Sequence, residues 1–112
     1  MNPPVETLFT NLPGEALIRE GLADLAADRE SIGSLLVQIG SPRLRWLDVP
    51  VPARADELDA DRRLYRLLAV AHGNEAHSQY NSFIRQLVSF ERALEHRVSA
   101  ARRQSDEAET AG

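Results

Sequence analysis

The sequence predicts an all-α fold, a compact helical bundle of four to five helices with a long C-terminal helical hairpin. Three observations lead there. Apolar residues recur at steps of three and four and nowhere alternate with period two. Leu and Ala, both strong helix formers, dominate an apolar content of 43%, while aromatic residues make up only 5%. Glycine, proline and small polar residues stand where helices start and stop.

Residues 1–10 hold Pro3 and Pro4 and show no period, so they read as an extended N-terminal arm ahead of a bundle domain over 11–103. Asn11-Leu12-Pro13-Gly14-Glu15 supplies a cap and a first-turn proline for a helix over Ala16 to Arg29. Ile18, Leu22 and Leu25 make its apolar face, beside Leu17 and Gly21, and Glu20, Asp24 and Asp28 its acidic one. Ser31 is placed to cap a shorter helix carrying Ile32, Leu35, Leu36 and Ile39, which Gly40 ends. Ser41-Pro42 then starts a turn or two of helix through Leu47. Val49-Pro50-Val51-Pro52 excludes helix and predicts a stiff, extended surface connector. From Asp56 to His72 a helix is expected to turn Leu58, Leu64, Leu67, Leu68 and Ala71 inward, with Gly73 ending it and Asn74 capping the next.

The last helix, expected over Glu75 to Arg103, carries Tyr80, Phe83, Leu87, Phe90 and Leu94 at steps of 3, 4, 3 and 4, the spacing of a coiled-coil seam. Ile84 and Val88 add a second apolar strip. Opposite the seam run Arg85, Arg92, His96 and Arg103, a basic stripe interleaved with Ser89 and Ser99. The acidic tail over 104–112 has no large apolar residue and is expected to be disordered.

Composition excludes several classes of function. With no cysteine there is no disulfide, no thiol nucleophile and no cysteine-held metal. The start of the chain lacks the basic-then-apolar order of a secretory signal, and no apolar run is long enough to span a membrane, so the expectation is a cytoplasmic protein without a membrane role. All 13 basic residues are Arg, yet the net charge of −4 argues against nucleic acid as the favoured partner. The nucleotide-binding, nucleophile-elbow and zinc-helix motifs are missing, and no cofactor is expected.

Four groups of residues could still carry chemistry. Arg66 and His72 meet the loose spacing of the HEPN ribonucleases, in which an arginine and a histidine cleave RNA without metal. Leu67 departs from the polar residue usual after that arginine, and a surface arginine with a histidine near a helix C-terminus is the favoured explanation of the pair. His72, Glu75 and His77 are metal-ligating types, but Gly73-Asn74 breaks the helix between the histidines, so no metal site is assigned. His77, Tyr80, Asn81 and Ser82 form a polar cluster where poor helix formers ask for a packing or partner contact. The basic stripe suits an acidic surface or nucleic acid, or is simply a solvated face. The favoured expectation is a non-catalytic interaction or accessory subunit, its seam serving the bundle and another protein chain, with a homodimer the simplest case. The alternatives are a HEPN-like ribonuclease of the toxin–antitoxin type using Arg66 and His72, or a basic-face nucleic-acid-binding accessory subunit.

Overall fold

In the computed structural model, which describes residues 4–111 and the side chains of 4–107, five α-helices follow one another. They are α1 (Glu15–Ala26), α2 (Ile32–Ile39), α3 (Ser41–Trp46), α4 (Ala60–His72) and α5 (Ala76–Ala111), with 3₁₀ turns at Val5–Phe9, Glu57–Asp59 and Gly73–Glu75. There is no strand among the described residues. The all-α class expected from periodicity is the fold observed.

The short helix α2 is the centre of the protein. Ser31 caps it as expected: its hydroxyl accepts from the Ser34 N–H at 3.1 Å, and the Ser34 hydroxyl accepts from the Ser31 N–H at 2.8 Å. Every residue from Gly33 to Gln38 is buried, so α2 is enclosed all round rather than amphipathic. It comes closest to α1 where Gly33 meets Gly21. A Cβ on Gly33 would lie 2.9 Å from both the Gly21 Cα and the Leu17 carbonyl oxygen. Only two glycines permit backbones this near one another.

Around α2 the aliphatic core closes with Ile18 and Leu25 of α1, Leu44 and Leu47 at α3, Leu64 and Leu68 of α4, and Leu87, Phe90, Leu94 and Val98 of α5. Helices α4 and α5 meet through the turn at Gly73–Glu75, and their Tyr65 and Tyr80 ring centroids are 5.7 Å apart. Gly73 has φ +55, a conformation that favours glycine, and ends α4. Asn74 lies inside the 3₁₀ turn and does not cap α5, which starts at Ala76.

Several expectations change at the ends of elements. Glu15 opens α1 instead of Ala16, and Asn11 does not cap it by its side chain: at φ +66 its own N–H donates to the Glu15 carboxylate at 2.9 Å. That bond and the stronger one from Arg19 hold the Glu15 carboxyl below the usual range. At the other end α1 stops at Ala26, because Asp28 takes a left-handed conformation at φ +59. Leu58, expected inward, is 97% exposed, since residues 57–59 form a 3₁₀ turn before α4 begins. Leu67 is 36% exposed, and Ala71 is exposed as well.

The two proline-marked segments are parts of the body. Val49 and Val51 are buried while Pro50 is exposed, so the connector alternates between core and solvent instead of lying on the surface. Arg45 clamps it, reaching the Val51 and Pro52 carbonyls at 3.2 and 3.3 Å and the Glu57 carboxylate at 2.7 Å. The expected arm is likewise structured from Val5. Phe9 is fully buried and meets Phe90 edge to face, centroids 5.0 Å apart, and Arg97 donates to the Leu8 and Thr10 carbonyls. Residues 1–3 of that arm lie outside the described residues, as does Gly112 of the tail. The rest of the expected tail continues α5 through Ala111, where Gln, Glu and Ala favour helix.

Candidate functional site

At 36 residues α5 is about 54 Å long, and the molecule measures 59 × 26 × 19 Å. The helix therefore sets the long dimension, and its C-terminal part outruns the elements packed on its first half. The seam runs through Leu87, Phe90 and Leu94 to Val98, and its next positions on the same face are Ala101 and Ser105. Side chains shrink along it. Val98 is 7% exposed, Ala101 is exposed and Ser105 is half-buried.

A groove of about 730 Å³ opens at this point. Its floor is Val98, Ala101 and Ser105 of α5; Val5 and Leu8 of the arm form one wall, and Leu47 and Asp48 after α3 the other. The walls are fixed by packing into the core. Phe9 against Phe90 and Arg97 on two carbonyls hold the arm, and buried Leu44 and Leu47 hold the end of α3. Arg102 pairs with Asp48 at 3.1 Å across one side. The groove is thus a slot along a helix in which Val5, Leu8, Leu47, Val98 and Ala101 are apolar and Asp48, Arg102, Gln104, Ser105 and Asp106 are polar.

The residues singled out from the sequence are distributed differently. Leu87, Phe90 and Leu94 are at most 3% exposed, covered by this chain's own arm and helices, so the seam expected to serve a second chain has no free surface at those three positions. Tyr80 and Phe83 are half-buried beside the core, and burial, with Asp61 adding to it, pushes the Tyr80 hydroxyl up. The polar cluster divides: Tyr80 faces Tyr65, while exposed His77 and Asn81 share a hydrogen bond of 3.2 Å one turn apart. That bond gives Asn81 a local reason to sit in a helix; Ser82 is half-buried. Arg85, Arg92, His96 and Arg103 lie along the back of α5, and all four are exposed.

Arg66 and His72 are both exposed on α4, about 9 Å apart along the axis and about 120° apart around it. Neither lines the groove. His72, Glu75 and His77 are exposed at the α4–α5 corner, and among the described residues no three His, Asp or Glu side chains gather as a metal-ligating set. Among the described residues, no helix is long and apolar enough to cross a membrane.

Sequence reasoning missed the groove because its residues come from three distant segments. One signal was present: the seam's three-and-four stepping continues past Leu94 and Val98 into Ala101 and Ser105, two small side chains in a regular register. Set beside known proteins, the chain matches no family model, no curated protein and no solved structure.

Proposed function

We propose that the protein is a non-catalytic interaction module that takes an amphipathic helix of a partner protein into the groove over Val98, Ala101 and Ser105. The observation that carries this reading is the continuation of α5's inner face past the chain's own core into an open slot with apolar and polar lining. A helix of this length gains most of its stability from packing, and beyond Val98 its inner face offers the exposed Ala101 to a partner. The floor from Val98 to Ser105 is about 10 Å long, or two helical turns. That length receives two or three apolar anchors at i, i+3 and i+4 from a partner helix. The polar rim at Asp48 and Arg102 then sets orientation rather than affinity.

The test compares the wild-type chain with Ala101→Arg, each tagged and purified gently from its own cells. Ala101 is exposed and arginine is a good helix former, so the variant keeps its fold. The expected result is a stoichiometric protein companion on the wild type that falls at least tenfold on the variant. Identical companions on both, or a wild type that comes alone, would overturn the docking groove. RNA retained equally by both would move the function to the basic stripe at Arg85 and Arg92.

A further inference from the structure

The part of α5 that floors the groove carries its charges in an order that complements itself when reversed. At about 3.6 residues per turn, Ala101 and Ser105 share the inner face, Arg102 and Asp106 lie together on one flank, and Gln104 lies on the other. Arg102, Gln104 and Asp106 are exposed, and all three line the groove.

A second α5 laid antiparallel in the groove, with the two-fold axis at the level of Arg103, sets Ala101 of each copy opposite Ser105 of the other. Both side chains are small, so the two helices can approach closely there. Side chains lean toward the N-terminus of their own helix. In an antiparallel pair that lean draws Arg102 level with Asp106 of the second copy and away from that copy's Arg102. On the other flank Gln104 meets Gln104 of the second copy, and two amides exchange donor for acceptor. A parallel pair would instead set arginine beside arginine and aspartate beside aspartate.

The same arrangement fills two grooves at once. Helix α5 runs through Ala111, so the turns past Ser105 of each copy pass over Val98 of the other, between the arm at Leu8 and the end of α3 at Leu47. The contact is isologous: each copy supplies an occupant and receives one. Arg102 keeps its exposed pair with Asp48 and gains a second carboxylate, which a planar guanidinium fork can serve. An unrelated partner would require no such self-complementary order on this helix.

We propose that the helix received by this groove is the C-terminal part of α5 from a second copy of this chain, packed antiparallel, with Arg102 of each copy against Asp106 of the other. The proposal rests on the groove reading and names its occupant. In a purification from the protein's own cells, the companion on the tagged chain is then its untagged copy.

The experiment is sedimentation equilibrium of the full chain over a concentration series. It compares the wild type, Ala101→Arg, Arg102→Asp, Asp106→Arg and an equimolar mixture of the last two. All three positions are exposed on a helix, so each variant keeps its fold, which circular dichroism checks. The wild type is expected to dimerise. Arg102→Asp and Asp106→Arg each set like charges against one another across the pair and should raise the dimer Kd at least about tenfold, as should the bulk of Ala101→Arg. The mixture should associate as the wild type does, because each variant then offers charges opposite to the other's. A wild type that stays monomeric throughout overturns the second copy as occupant; if it still captures a different protein that Ala101→Arg loses, the groove reading survives that failure. A dimer indifferent to all three substitutions lies elsewhere on the protein and sinks the proposal, as does a mixture that associates no better than its components.

Discussion

Arginine supplies all thirteen of the chain's Lys-or-Arg positions, and much of that supply is spent on ion pairs. Arg19, Arg29, Arg43, Arg45, Arg54, Arg63 and Arg102 pair with carboxylates, and several of these tie distant segments together. Arg45 shows why lysine would not serve: one planar fork reaches both Glu57 oxygens and two connector carbonyls. That contact holds the Glu57 carboxyl below the usual range, so its contribution is present above an unfolded pKa of 4.5 and is lost as pH falls through the folded value. Glu91 behaves in the opposite sense. Burial between α5 and the Gly40 corner pushes its carboxyl up, opposed by Arg43. Its contribution is full below 4.5 and lost as pH rises through the folded value, leaving a cost at neutral pH. Glu91→Gln should therefore raise the urea midpoint at pH 7, with the gain shrinking toward pH 4. An unchanged midpoint at pH 7 would show that water reaches this carboxylate freely.

Among the elements, α2 depends most on its neighbours. Eight residues are too few for an autonomous helix, so the capping box at Ser31 and the enclosure of Gly33 to Gln38 sustain it. The approach of α1 at Gly21 and Gly33 sets the spacing of both helices. Gly33→Ala should cost about 1–3 kcal/mol, since the new methyl meets backbone that cannot move aside; chemical denaturation measures the loss. A stability equal to wild type would mean that the two helices slide apart easily. Helix periodicity made Leu35, Leu36, Leu64, Leu68 and the Leu87, Phe90 and Leu94 part of the α5 seam legible as core. It misplaced Leu58 and the α1 boundaries, because a 3₁₀ turn and a left-handed Asp28 are local backbone choices with no periodic signature. Periodicity also marked one apolar face on α2, while Ser34 and Gln38 on its other side are buried as well.

For the whole molecule, the arm decides how much of α5 is covered. Phe9 is far in sequence from Phe90, and nothing local marks it as core, yet it is fully buried. Phe9→Ala should destabilise the protein by about 3–5 kcal/mol. It should also loosen the arm wall of the groove, seen as lost amide-exchange protection around Leu8 and Leu12. Retained stability would show that the arm is an appendage, and the groove would then lack a firm side. Only the α5 floor of the proposed groove was legible beforehand. Its walls bring Val5 and Leu47 to Val98 from segments whose proximity no periodic pattern encodes. Residue spacing and helix propensity act over a few positions, and they were enough to specify the helices, the aliphatic core and the capping of α2. Which faces stayed open, how the arginines were shared and where Gln38 came to rest depended instead on contacts between segments far apart in the chain, which form only when the helices pack together.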